Sequence, residues 1–166
     1  MNLLISVDME GISGVVLPRH TRASDNEYQR FRRLMTLDAN AAIEGALAGG
    51  AQRILVNDSH GNMANIVIEE LHPAAELISG QPKPFGMMQG LSADIDMVFL
   101  VGYHAASGTR SAILEHTWTG HIVDAQLNGR SVGETGLSAA IAGAFGAPVV
   151  LVLQRYFSRH EIFLQL

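Results

Sequence analysis

Asp8 and Glu10 stand two residues apart at the close of the apolar run Leu3-Leu4-Ile5-Ser6-Val7. In an extended strand, side chains two apart share a face, so the pair is expected side by side. Two carboxylates held together repel unless a cation sits between them or water surrounds them. The first alternative is a divalent metal, the second a solvated strand end. Four further residues bear on the choice. His60 follows the run Arg53-Ile54-Leu55-Val56-Asn57, and His104 follows Asp96-Met97-Val98-Phe99-Leu100-Val101-Gly102. Glu134, in Val132-Gly133-Glu134-Thr135-Gly136, is placed to open a helix, where the positive N-terminus favours a carboxylate and capping alone would account for it. His116, in Leu114-Glu115-His116-Thr117, could serve as general acid or base or stabilise an oxyanion. Lys83, in Lys83-Pro84-Phe85, offers an ammonium for a substrate carboxylate, or is simply an exposed lysine.

The elements that must position these residues read as an α/β domain. Residues 2–8 form a buried strand. Residues 27–48 form a helix on the spacing of Tyr28, Phe31, Leu34, Met35, Ala39, Ala42, Ile43 and Leu47, ended by Gly49-Gly50. Strands are expected at 53–57, 76–79, 96–102, 113–118, 121–127 and 148–153. A helical turn is expected near 65–71 and a small-residue helix at 139–145. Asn128-Gly129 marks a hairpin turn, and that hairpin is expected at an edge of the sheet. Continuous apolar strands alternating with helices imply a mostly parallel sheet flanked by helices. Three strands then deliver acids and imidazoles at their C-terminal ends, the edge where open α/β sheets bind ligands.

Composition excludes several classes. The chain has 166 residues, 48% of them hydrophobic and 16% charged, which suits one folded domain. A net charge of −5 and a pI near 5.7 argue against nucleic acid. No segment approaches the ~18 apolar residues of a membrane span. Met1-Asn2-Leu3 lacks a basic signal-peptide start, so the expected localisation is cytoplasmic. Without cysteine there are no disulfides and no thiolate ligands. No glycine pattern has phosphate-loop or dinucleotide spacing. An N/O ligand set suits Zn, with Mn, Co or Fe also open. Two imidazoles and three carboxylates exceed the needs of one tetrahedral zinc, so a two-metal site with a bridging carboxylate fits better. His20, His72, His121 and His160 have no comparable setting.

The ordered motifs Ser6-Val7-Asp8-Met9-Glu10-Gly11, Val56-Asn57-Asp58-Ser59-His60, Lys83-Pro84-Phe85, Gly102-Tyr103-His104 and Val132-Gly133-Glu134-Thr135-Gly136 resemble the D-aminopeptidase family of dinuclear zinc peptidases (DppA-like, M55). The stretches Leu71-His72-Pro73 and Ile78-Ser79-Gly80 match as well, from about residue 1 to 152. The resemblance implies two zinc ions per chain, with Asp8 bridging, Glu10 and His60 on one ion, and His104 and Glu134 on the other. It makes His116 the catalytic histidine. It implies hydrolysis of short peptides bearing N-terminal D-amino acids, and a ring-like homo-oligomer. The family continues past this length and usually has Gly-Asp after the last strand, where this chain has Leu153-Gln154-Arg155. The expectation is therefore a metallopeptidase-like domain over 1–153 and an atypical, amphipathic tail over 154–166, in a truncated or frameshifted member. The competing functions are a dinuclear amidohydrolase of another substrate and a metal-binding remnant without turnover.

Overall fold

The computed structural model describes residues 1–154. Five strands form one parallel sheet in the order β3-β2-β1-β4-β7: β1 Asn2–Val7, β2 Arg53–Asp58, β3 Ala75–Ile78, β4 Met97–Tyr103 and β7 Val149–Gln154. Helix α1 (Tyr28–Ala48) connects β1 to β2, and helix α2 (Glu134–Ala144) precedes β7. The remaining strands, β5 Gln126–Leu127 and β6 Arg130–Ser131, make a separate antiparallel ribbon.

Period-2 alternation sorts the central strands onto two cores. Leu3, Ile5 and Val7 of β1 join Ile54 and Val56 of β2 against Phe31, Met35, Ala39 and Ile43 of α1. Leu4, Leu55, Val98 and Leu100 face the other way, against Met87, Met88 and Ala142. Burial on both faces is why these strands read as unbroken apolar runs. The chain leaves β1 toward β2 on one side, whereas β4 lies on β1's other side and leads on to β7. That reversal places a topological switch point between β1 and β4, where open α/β sheets leave a crevice beyond the strand ends.

Several expectations are corrected. The expected strands at 113–118 and 121–127 are absent apart from an isolated Thr117–Thr119 bridge and the two residues of β5. The backbone there bonds elsewhere: the His116 N–H donates to the Ala105 carbonyl, and the Ser107 N–H to Thr117 Oγ1. Ser111, Leu114 and Trp118 also take left-handed φ values of 58°, 55° and 58°, which interrupt any ladder. The Asn128-Gly129 turn is present, with φ of 51° and 76°, but its ribbon pairs with no strand of the main sheet. Strand β1 ends at Val7, so Asp8 and Glu10 lie in a turn rather than on an extended face. Helix α2 begins at Glu134, the residue placed to open a helix, and so extends the helix expected at 139–145 by five residues at its start. Gln154 closes β7, and the rest of the expected tail lies outside the described residues.

Candidate metal centre

The turn after β1 is held against the end of β4 by close backbone contact. The Asp8 N–H donates to the Val101 carbonyl at 2.8 Å, and the Gly11 N–H to the Gly102 carbonyl at 2.7 Å. A Cβ on Gly11 would lie 1.8 Å from the Tyr103 carbonyl oxygen, and one on Gly102 would lie 2.2 Å from that of Asp8. No side chain fits at either position, so the carriers of Asp8, Glu10 and His104 approach as closely as peptide planes allow. On the other side, the Ser59 N–H donates to the Val7 carbonyl at 2.8 Å. Asp58 then accepts from the Asn65 and Ile66 N–H groups and from Asn65 Nδ2, which folds the loop that begins with His60.

Five residues from four segments converge there. His60 Nδ1 lies 3.0 Å from Glu10 Oε2 and 3.4 Å from Asp8 Oδ1. His104 Nε2 lies 3.4 Å from Asp8 Oδ2 and 3.4 Å from Glu134 Oε1. The two oxygens of Asp8 thus face different imidazoles, one accompanied by Glu10 and the other by Glu134. His116 lies beside the second group, its Nε2 3.8 Å from Glu134 Oε1 and its ring stacked on His104 at 4.1 Å. Asp8, Glu10, His104 and Glu134 are all buried.

Each imidazole is oriented from behind by a backbone carbonyl. His60 Nε2 donates to the Thr21 carbonyl at 2.9 Å, His104 Nδ1 to that of Ala105 at 3.0 Å, and His116 Nδ1 to that of Leu114 at 2.9 Å. The other nitrogen of each ring points at the carboxylates, as ligating histidines are commonly held. Among the described residues, four buried side-chain N or O atoms have no hydrogen-bond partner. Three of them are Asp8 Oδ2, Glu10 Oε2 and His104 Nε2. Buried polar atoms seldom go unpaired, and these three face a common point.

Electrostatics describe the same frustration. Burial, with Glu10 adding repulsion, pushes the Asp8 carboxyl up to about 7. Burial opposes charge on Glu10 too, yet the adjacent His60 imidazole, with His104 and His116, holds it down to about 2. Burial likewise opposes the His104 imidazolium, but Glu134 and Asp8 raise it to about 9. Protons therefore compensate part of the negative charge of the protein alone, and a divalent cation would replace them. The donor set, all oxygen and imidazole nitrogen, fits zinc.

Residues without a warning in the sequence complete the site. A cavity of about 660 Å³ opens onto the cluster, walled by Phe85, Met87, Leu137 and Ile141. Trp118 lines it and donates its backbone N–H to Glu134 Oε1 at 2.6 Å. Beneath the cluster, Ser6 donates to the Met87 carbonyl at 2.6 Å and lies within 2.8 Å of Tyr103 Oη and 2.7 Å of Ser59 Oγ. Ser6, at an inward position of an apolar strand, was the one available signal of this network. Lys83 also lines the cavity. His20 is buried, stacked on Phe31 at 3.7 Å, away from the cluster. No helix among the described residues is long and apolar enough to cross a membrane.

A family model described as D-aminopeptidase (peptidase M55) matches residues 1–154. A D-aminopeptidase of Bacillus subtilis (strain 168) is 41% identical over 152 residues, 92% of this chain and 55% of the relative. A solved structure described as the Zn-dependent D-aminopeptidase DppA from Bacillus subtilis, a self-compartmentalizing protease, superposes with a TM-score of 0.89 at 41% identity. It matches over 92% of this chain and 55% of its own. The chain therefore spans about half the length of these relatives.

Proposed function

This chain belongs to the D-aminopeptidase family, and from that premise we propose that it is a zinc-dependent aminopeptidase acting on short peptides with N-terminal D-amino acids. Asp8 would be shared between two ions, Glu10 and His60 would hold one of them, and His104 and Glu134 would hold the other. The observation that carries this reading is the split of the Asp8 carboxylate between two imidazole–carboxylate pairs, with three orphaned donor atoms around it. When bound, a zinc pair supplies a water activated at neutral pH and a Lewis acid for a carbonyl.

The chain's own residues do the rest. The cavity walls exclude bulk water from one side of the peptide and so strengthen every charge interaction at the cluster. Thr21, Ala105 and Leu114 hold the three imidazoles in one tautomer through their carbonyls. His116 is more exposed than His104, its side chain 27% accessible against 1%, and it lines the cavity. Its Nε2 is the atom that takes a proton from the attacking water and returns it to the leaving amine, or steadies the developing oxyanion. We further propose a cytoplasmic homo-oligomer built as a ring, in keeping with a relative described as self-compartmentalizing.

Elemental analysis of zinc on chelator-stripped, reloaded protein tests the centre. The expected content is about two ions per chain, lost together in Asp8→Ala and reduced to about one in Glu134→Ala. Full occupancy in Asp8→Ala would overturn the bridging assignment. Hydrolysis of D-Ala peptides, compared with L-peptides and simple amides, tests the substrate. The expected outcome is D-selective turnover that falls at least ~100-fold in His116→Ala with zinc retained.

A further inference from the structure

Lys83 has a role that the metal chemistry does not use. Among the described residues that line the cavity it is the only lysine or arginine, opposed to Asp8, Glu10 and Glu134 at the cluster. Its Nζ donates to two backbone carbonyls, Asp58 at 2.5 Å and Ile78 at 3.1 Å. These lie at the ends of β2 and β3. An ammonium has three N–H donors, so one remains. The two bonds go to neutral dipoles, and the carboxylate that acts on the ammonium, that of Asp58, does so without an ion-pair contact. Among the described residues no carboxylate forms an ion pair with Lys83. The nearby Asp58 carboxylate, turned to the N–H groups of Asn65 and Ile66, keeps its charge but makes no direct contact with the ammonium. The backbone on either side is narrowed by Pro82 and Pro84, and the side chain is half-buried. The rotamer freedom that an exposed lysine loses on binding a ligand is thus already given up in the folded chain.

Resting on the peptidase reading above, we propose that Lys83 binds the C-terminal carboxylate of the substrate and so restricts the enzyme to short peptides with a free C-terminus. A short free peptide is a dipolar rod. Its scissile carbonyl and amine belong at the acidic metal cluster, and its one remaining charge is a carboxylate. Among the described residues the cavity offers one ammonium, held without an ion-pair partner, to receive it. A compact ammonium binds that carboxylate as a point charge without demanding a planar fork. The bland alternative is that Lys83 only ties the ends of β2 and β3 together. That role would affect every peptide equally.

The experiment is a cycle of two peptides and two proteins. Calorimetric binding of D-alanyl-D-alanine and of its C-terminal amide is measured on zinc-loaded His116→Ala protein, with and without Lys83→Gln. Glutamine keeps two N–H donors on a side chain one bond shorter and carries no charge, and unfolding curves report the fold of each variant. The free acid is expected to bind about 10-fold tighter than the amide, as a charge-assisted hydrogen bond should. In Lys83→Gln the ratio is expected to fall to near one. A ratio near one with Lys83 present, or one unchanged in Lys83→Gln, overturns the proposal while leaving the peptidase reading intact. Binding of neither peptide to a folded, zinc-loaded protein overturns that reading and the Lys83 assignment with it.

Discussion

Replacing Gly102 by alanine tests how the fold holds Asp8. Gly102 has φ of +72°, a left-handed conformation that costs an L-residue roughly 1–2 kcal/mol. The added Cβ would also lie 2.2 Å from the Asp8 carbonyl oxygen, 2.6 Å from Ile12 Cδ1 and 2.9 Å from the Asp8 carbonyl carbon. Relief needs a shift of about 1 Å between the turn after β1 and the end of β4. Overpacking of that kind costs roughly 1–3 kcal/mol. The expected destabilisation is about 2–5 kcal/mol, a large part of the roughly 5–15 kcal/mol typical of a domain. The control is Gly50→Ala, where φ is +87° and no atom lies within 4 Å of the added Cβ. That variant should show the conformational cost alone, about 1–2 kcal/mol. The assay is denaturant unfolding of the metal-free proteins, followed by competitive zinc titration. Because the clash bears on the residue that carries a proposed bridging carboxylate, Gly102→Ala should weaken zinc binding by ~10–100-fold, whereas Gly50→Ala should leave it unchanged. Equal destabilisation in the two variants, with equal zinc affinity, would refute the argument that backbone contact positions the site.

Stability of the metal-free protein should fall as pH rises. The Asp8 carboxyl is raised from 3.8 to about 7, so its contribution is present below 3.8 and gone above about 7. His104 is raised from 6.5 to about 9, so its contribution is lost across that window. Glu10 acts oppositely but only below its ordinary 4.5. Thermal scans at fixed ionic strength should show Tm declining from pH 6.5 to about 9, with the zinc-induced rise in Tm growing over the same range. A metal-free Tm that climbs instead would contradict the clustering of protons on the site. Ser6→Ala should cost about 1–3 kcal/mol by orphaning its buried partners. Combined with Tyr103→Phe, the loss should be less than additive in a double-mutant cycle. Strict additivity would show that the hydroxyl chain is not one network. Trp118 is the single tryptophan and lines the cavity, so saturating zinc and peptide should change its emission. An unaltered spectrum would place the ligand elsewhere.

Much of the fold is legible in local sequence because its signals are local. Leu3 to Val7, Ile54 to Val56 and Val98 to Val101 are buried on both faces, so their strands appear as plain apolar runs. Helix α1 shows its one buried stripe at helical spacing. The acids and imidazoles after β1, β2 and β4 were legible for a related reason: a parallel sheet aligns its strand ends, so residues far apart in the chain share one edge. The segment 105–125 misled because its β-branched and apolar residues suggest strands, whereas its backbone donors go to tight turns and to isolated distant partners rather than to a ladder. The backbone N–H of Trp118, a residue at left-handed φ, reaches Glu134 Oε1, a bond across 16 residues that no periodicity encodes.

The sequence by itself determined the residue types: hard oxygen and imidazole donors, no thiols, and strands whose ends carry them. Only the tertiary structure decided that Asp8 offers one oxygen to His60 and the other to His104. That division depends on the close approach of Gly11 to Tyr103 and of Gly102 to Asp8. The same holds for Lys83, which the chain leaves open between a substrate-binding ammonium and an exposed lysine, and which the fold makes a tethered charge in the cavity. Its partners are the carbonyls of two other strand ends. Side-chain chemistry is written residue by residue, whereas distance, burial and the pairing of charges belong to the packed chain as a whole.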